Sequence, residues 1–222
     1  MPRLITQSVV ADFRERLCDV AALLFSERGR DGFNMRELAK RLRVSPMTAY
    51  RYFRDKDEIL SALRARAFAG FAARLESALA ACGGDRSTAL ALAYARFLRE
   101  EEVNYRLMFD LFQPAIPAVP ELAVAERRAR AAINAFARLM VEDGTFDGEP
   151  ETIGMVFWSA LHGAAALHLA AKLPPAELDR LLPEAARALA VAYRGARTMN
   201  AGQWPAVTVR PAPDYAGLTA AE

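Results

Sequence analysis

Two helix starts only eleven residues apart, at Asn34 and Ser45, constrain the fold of this 222-residue chain more than any other feature. Asn34 is followed three residues later by Glu37, and Ser45 is followed directly by Pro46. Both patterns are typical of the first turn of an α-helix. The sequence therefore predicts two short helices, joined by a tight turn at positions 43–44.

Apolar residues recur at helical spacing through most of the remaining chain, and alanine-rich segments with few β-branched runs favour helices over strands. The predicted fold class is all-α with about nine helices. We divide it into an N-terminal three-helix unit at 1–56, a larger helical body at 57–197 and a C-terminal tail at 198–222 without helical period. Besides the two short helices, the predicted helices run over about 8–28, 55–81, 86–102, 103–113, 119–143, 151–171 and 175–196.

The charge of the chain is unevenly distributed. Residues 1–66 hold 14 Lys and Arg against 9 Asp and Glu, whereas the remainder holds 15 against 18. A basic first third on a mildly acidic body suggests contact with a polyanion. The two cysteines, Cys18 and Cys82, suggest neither a disulfide framework nor a metal site. The N-terminus has no signal-peptide pattern and no segment approaches an uncharged membrane span, so we expect a cytoplasmic protein and no membrane partner.

The two short helices with their tight turn form a helix-turn-helix, in which the second helix lies in the major groove of DNA. We expect Leu38, Ala39, Leu42, Val44, Met47, Tyr50 and Phe53 to hold the N-terminal helices together, Tyr50 by its ring only. Hydroxyls and guanidinium groups on the other positions can reach base edges or phosphates. The candidate DNA-binding residues are Arg36, Arg43, Ser45, Pro46, Thr48, Tyr50, Arg51, Tyr52 and Lys56. On spacing alone, an ordinary solvated face of a helical protein remains the alternative.

The stretch from Ala21 to Leu63 closely resembles the DNA-binding region of TetR-family transcriptional regulators. The resemblance is continuous over some forty residues. The matching positions are Ala22, Leu24-Phe25, Glu27, Gly29, Phe33, Leu38-Ala39, Val44-Ser45, Tyr50, Phe53, Lys56 and Leu60. Arg43 departs from the pattern, because the family usually has glycine before the Val-Ser of the turn. If the turn needs a positive φ there, a side chain strains it by roughly 1 kcal/mol.

The resemblance implies that the body is a dimerisation and ligand domain, and that an effector bound there lowers DNA affinity. Asn104–Leu111 reads NYRLMFDL and Trp158–Gly163 reads WSALHG. Together these motifs look like the C-terminal subgroup named for its Trp-His-Gly (WHG) signature. Trp158 and His162 share a helix face, and either packing or lining a ligand cavity fits both of them. For Gly163 we favour packing, since a glycine lets another helix approach closely.

The body contains a cluster of aromatic and methionine side chains that suits a small hydrophobic or aromatic effector. Arg106, Asn104 or His162 could supply polar groups to such a site. We expect no metal and no cofactor, because only two histidines occur and no carboxylate pair accompanies them. The candidate ligand-binding residues are Tyr94, Phe97, Tyr105, Met108, Phe109, Phe112, Phe136, Met140, Trp158 and His162.

The expected function is a ligand-responsive repressor that acts as a homodimer through the helices at about 151–171 and 175–196. Its double-stranded DNA operator would be a palindrome, with half-sites roughly 34 Å apart. An activator, or a regulator without a small ligand, would use the same fold. An enzyme is disfavoured, because no Glu-x-x-His pairs, phosphate loop or Gly-x-Ser-x-Gly turn occurs. A protein-interaction module, with the basic head docking an acidic partner, is a further alternative.

Overall fold

The computed structural model describes residues 7–29, 32–109 and 119–195, and over these ranges the chain forms nine α-helices and no strand. The predicted all-α fold is confirmed. The predicted tail at 198–222 and Phe112 lie outside the described residues. The helices are α1 Gln7–Arg28, α2 Met35–Arg41, α3 Pro46–Tyr50, α4 Lys56–Ala80, α5 Arg86–Glu100, α6 Glu102–Phe109, α7 Pro120–Glu142, α8 Pro150–Leu169 and α9 Pro175–Gly195.

Short polar side chains start the N-terminal helices as the sequence predicts. Asn34 accepts a hydrogen bond from the backbone N–H of Glu37 at 3.0 Å, and Asp55 accepts one from Glu58 at 2.8 Å. Ser45 caps α3 in the same way. These bonds satisfy N–H groups that have no partner within a helix, so each cap fixes where its helix begins.

Two apolar cores divide the molecule. The head core joins α1, α2 and α3 to the first turns of α4, where Ile59, Leu60 and Leu63 are buried. The body core begins further along α4, at Ala67, and continues through α5 to α9. Within the body, α4 packs along α7, α7 along α8, and α5 and α8 against α9. We call the first unit the head and the second the body.

The short helix α6 belongs to both cores. Leu107 is fully buried in the head core, and Val103 packs against it. Tyr105 and Met108 are buried in the body core, with Phe109 packed against it. Since successive residues of a helix point in different directions, one helix can serve both units. The head is therefore joined to the body through α4 and also through α6.

Helix α8 is the most apolar helix of the described chain. By length and composition alone it could cross a membrane, although the core helix of a globular protein passes the same test. The expectation that no segment approaches a membrane span was too strong for α8. One face of α8 packs so closely on α7 that a Cβ at Gly154 would lie 2.4 Å from Oδ1 of Asn134. Gly163, by contrast, is exposed, and nothing within the described chain approaches it.

Candidate functional site

Helix α3 presents a solvent-facing surface of mixed chemistry. Met47 is 71% exposed and Tyr50 is 47% exposed, with Arg51 exposed beside it. Thr48 is half-buried, and its hydroxyl lies 2.9 Å from that of Ser45. The cap of the helix therefore also orients the Thr48 hydroxyl.

Three positions of α3 differ from the sequence prediction. Met47 and the ring of Tyr50 were expected in the head core but lie outside it, and Ala49, which was not expected there, is fully buried. Tyr52, a candidate DNA contact, packs against Phe13 of α1 with ring centroids 4.6 Å apart. The small Ala49 side chain lets this five-residue helix pack closely against its neighbours. Met47 is two residues away, on the other side of the helix, and therefore faces the solvent.

Three arginines around the helix-turn-helix are available for a polyanion. Arg36, Arg43 and Arg51 are exposed, and within the described residues none of them forms an ion pair. By contrast, Arg41 is held by Glu27 of α1. Unpaired guanidinium groups can contact phosphates without first breaking a salt bridge.

The turn between α2 and α3 has a positive φ at Arg43, the position where the family usually has glycine. Arg43 has a φ of 55°, in the left-handed region. Its backbone N–H donates to the carbonyl of Lys40 at 3.1 Å, and the N–H of Val44 donates to that of Ala39 at 3.0 Å. The turn therefore keeps a positive φ although an arginine occupies it.

A cleft of about 780 Å³ between head and body lies where α1, α6 and α8 meet. Its walls are mostly apolar, and its volume is in the range typical of small-molecule sites. The head contributes the end of α1, the body contributes α8, and α6 is shared by both. The lining residues are Phe25, Ser26, Gly29, Glu102, Val103, Tyr105, Arg106, Phe109, His162, Ala166, Leu169 and Ala170.

A chain of hydrogen bonds runs from the body core to this cleft. The hydroxyls of Tyr94 and Tyr105 lie 2.7 Å apart, and the Tyr105 hydroxyl lies 2.6 Å from Nδ1 of His162. Burial raises the pKa of both tyrosines and lowers the pKa of His162, because each charged form would lose its hydration. At neutral pH all three groups are therefore uncharged.

Trp158 stands beside this chain. Its ring contacts Phe109 with centroids 6.2 Å apart. Its indole N–H is buried and makes no hydrogen bond of normal geometry within the described residues. It nevertheless lowers the pKa of Tyr94 and so offsets part of the rise that burial causes. Trp158 thus backs the wall of the cleft without being among its lining residues.

The structure brings together only part of the predicted ligand set. Tyr105, Phe109 and His162 line the cleft, and Tyr94 lies behind them. Phe97, Met108, Phe136 and Met140 are buried in the body core and do not line the cleft. Sequence reasoning missed the contribution of Phe25, Ser26 and Gly29, because no local pattern links the end of α1 to α8.

No cluster of three or more His, Cys, Asp or Glu side chains within the described ranges is placed to hold a metal ion. Cys18 is buried in the head core, and burial raises the pKa of its thiol. Cys82 is half-buried at the end of α4.

Comparison with protein families gives two matches. Residues 17–63 match the model for bacterial regulatory proteins of the tetR family, and residues 87–189 match the model for the tetracyclin repressor-like C-terminal domain. Together the two models span well over half of the chain. No curated protein matches the sequence.

Solved structures share the fold over most of the chain. A protein of unknown function from Rhodococcus sp. RHA1 is 24% identical with a TM-score of 0.73, covering 87% of this chain and 99% of its own. PfmR, a TetR-family transcriptional regulator from Thermus thermophilus, is 25% identical with a TM-score of 0.58, covering 82% and 100%. A TetR/AcrR-family regulator from Thermobifida fusca is 22% identical with a TM-score of 0.61, covering 82% and 99%.

Proposed function

The chain belongs to the TetR family of bacterial regulatory proteins, and on that premise we propose that it is a homodimeric repressor released from its operator by a small, largely apolar effector. The family assignment supports DNA binding and transcription regulation by the helix-turn-helix. Repression, the palindromic operator and the effector go beyond that assignment. The proposed DNA-binding residues are those of the sequence analysis, to which the exposed Met47 is added.

One observation carries the effector proposal: the apolar cleft is lined from both sides, by the head and by the body. A ligand that fills it touches Phe25 and Gly29 at the end of α1 as well as His162 of α8. Because α1 is part of the head core, any ligand that fits only one head orientation changes the population of that orientation. Differential affinity for two head positions is what release of DNA requires.

The homodimer proposal rests on an uncovered face of α8 and α9. Leu167 is 50% exposed, and Val191 on α9 is 67% exposed. Gly163 lies on the same helix as Leu167 with open space before it, so a helix of a second copy could approach closely there. Exposed apolar and small residues on paired helices are typical of an interface.

DNA binding is tested with the purified protein and a labelled duplex from its own upstream intergenic region. Fluorescence anisotropy beside a scrambled duplex at two salt concentrations should show tighter, salt-dependent binding to the native fragment. Equal and weak binding to both duplexes would contradict operator recognition at this site. A reporter assay in a strain lacking the gene then shows whether the protein represses or activates its target. Raised expression means repression, and lowered expression means activation.

Arg51→Ala is the sharpest variant for this assay, because it shortens an exposed side chain at the C-terminal end of α3 without touching the head core. We expect affinity for the native duplex to fall by about tenfold or more if Arg51 contacts a base, and less if it contacts a phosphate only. Arg96→Ala is the matched control, since Arg96 is an exposed arginine of α5 in the body. Equal loss in the two variants would mean that only net charge matters.

A further inference from the structure

The only two histidines of the chain, His162 and His168, lie on the same helix but have opposite hydrogen-bond environments. Nδ1 of His168 lies 2.8 Å from the backbone carbonyl oxygen of Leu173. A carbonyl oxygen can only accept, so Nδ1 of His168 must carry the proton. Nδ1 of His162 instead faces the Tyr105 hydroxyl at 2.6 Å, and a hydroxyl can either donate or accept.

Burial of Tyr94 decides the direction of the bonds that reach His162. The Tyr94 side chain is fully buried, and within the described residues the Tyr105 hydroxyl is its hydrogen-bond partner. A buried O–H without an acceptor destabilises the folded protein, so Tyr94 donates to Tyr105. The Tyr105 hydroxyl then donates to Nδ1 of His162. The neutral His162 ring must therefore carry its proton on Nε2.

The remaining polar groups of the cleft leave it without net charge. Nε of Arg106 donates to Oε1 of Glu102 at 2.8 Å, so these two lining residues neutralise each other. Within the described chain no hydrogen bond engages Nε2 of His162, although the residue lines the cleft. Ser26, Glu102 and Arg106 are exposed to solvent, whereas His162 is half-buried and offers a donor that no group of the described chain engages. A mostly apolar cavity with such a half-buried donor suits a neutral ligand with one acceptor.

We propose that this cleft selects an uncharged, largely apolar molecule that carries a hydrogen-bond acceptor, such as a ketone or ester oxygen. The Nε2–H of His162 donates a hydrogen bond to that acceptor. The proposal rests on the effector site proposed above and names the class of its ligand. The Tyr94–Tyr105 pair holds the donor in place by fixing the tautomer, and so acts as a positioning pair.

The tautomers are tested first on the unmodified protein, without any ligand or variant. Long-range ¹H–¹⁵N correlation spectra at pH 7.5 distinguish protonated from unprotonated ring nitrogens, and two histidines give a spectrum simple enough to assign. We expect the Nε2–H form for His162 and the Nδ1–H form for His168. The same form for both rings, or Nδ1–H for His162, overturns the proposal.

Ligand selection is tested with three probes of similar shape: benzophenone, diphenylmethane and the diphenylacetate anion. Isothermal calorimetry should show benzophenone binding about five- to tenfold more tightly than diphenylmethane, which lacks the oxygen, and more tightly than the anion. Benzophenone should also shift the Nε2 resonance of His162 and leave that of His168 in place. Equal binding of the ketone and the hydrocarbon overturns the proposal.

His162→Phe keeps a ring and removes the donor, and it should abolish the preference for the ketone. His168→Phe is the matched control on the same helix and should retain that preference. Both variants are first checked by thermal melting, and the wild-type spectra decide the matter if His162→Phe does not fold. Release of DNA by benzophenone and diphenylmethane alike would leave the proposed function standing and defeat this inference. Preferential binding of the ketone without any DNA binding would support this inference and contradict the proposed function.

Discussion

Arg43 strains the backbone at a position where we propose that its side chain contacts DNA. Its φ of 55° lies in the left-handed region, where a side chain costs roughly 1 kcal/mol relative to glycine. The residue is exposed, so neither its burial nor its packing offsets that cost. A phosphate contact by its guanidinium is the gain that we expect in return.

The first prediction separates these two roles of Arg43. Arg43→Gly should raise the free energy of unfolding by about 1 kcal/mol, because it relieves the strain. Arg43→Ala should give no such gain, because alanine keeps a Cβ. Both variants should weaken DNA binding alike, since both lose the guanidinium. Urea denaturation and anisotropy on the same samples measure the two effects; a stabilised alanine variant would refute the strain argument.

A second prediction concerns His162 and pH. Burial lowers its pKa below the ordinary value, so between those two pKa values the unfolded chain binds more protons than the folded chain. The contribution of His162 to stability is therefore complete above about pH 6.5 and is lost as the pH falls towards the folded pKa. His162→Gln lacks this contribution but keeps Glu102, Arg106 and both tyrosines.

Urea denaturation at pH 7.5 and pH 5.5 measures this effect. The wild-type protein should lose more stability between the two pH values than His162→Gln. Identical losses would show that the imidazole titrates as it does in the unfolded chain.

At the scale of the element, the end of α6 depends on a side chain of α4. Leu107 lies in the last turn of α6, where backbone carbonyls have no partner within the helix. Nε of the buried Arg64 donates to this carbonyl at 3.0 Å. Arg64 therefore caps α6 from the neighbouring helix and holds it against the head core.

The third prediction follows from this cap. Arg64→Met preserves most of the side-chain length but removes the donor, and it should lower the free energy of unfolding by about 1.5–3 kcal/mol. Arg66→Met is the control, because Arg66 pairs with Asp19 at the surface, where an ion pair contributes less than about 1 kcal/mol. Chemical denaturation of both variants gives the comparison. Equal losses would mean that the Leu107 carbonyl finds another partner.

Local signals made the elements predictable, whereas packing between elements did not. Asn34, Ser45 and Asp55 start their helices as expected, because capping is decided within four residues of sequence. The orientation of α3 was misjudged at Met47 and Ala49, because a helix of five residues is too short for its periodicity to define a face. In such a helix, the neighbouring helices decide which side is buried.

At the scale of the whole molecule, the cleft shows the limit of sequence reasoning most clearly. The cluster of aromatic and methionine residues in the sequence made Phe97 and Phe136 candidate ligand contacts, but such a cluster cannot distinguish a filled core from a void, and both residues are buried in the core. The residues that form a wall of the cleft from the head, Phe25 and Ser26, are more than 130 positions away from His162 in sequence. Only the folded arrangement of α1, α6 and α8 brings them together.

The fourth prediction concerns assembly. Val191→Glu places a charge on the uncovered face of α9, and it should raise the dimer dissociation constant by at least about tenfold, since burying an unpaired carboxylate is unfavourable. Val124→Glu is the matched control, because Val124 is 56% exposed on α7, where it lies beside α4. Sedimentation equilibrium of the two variants and the wild type measures the change. A monomeric wild-type protein would contradict the proposed interface.

Helix α4 has a consequence for how the molecule melts. Its 25 residues run without interruption from the head core, through Leu63, to the body core, through Ala67 and Leu75. Neither core can lose its structure without removing one wall of the other, and α6 adds a second shared wall. Head and body should therefore behave as one cooperative unit: calorimetry should give a single peak whose calorimetric and van't Hoff enthalpies agree.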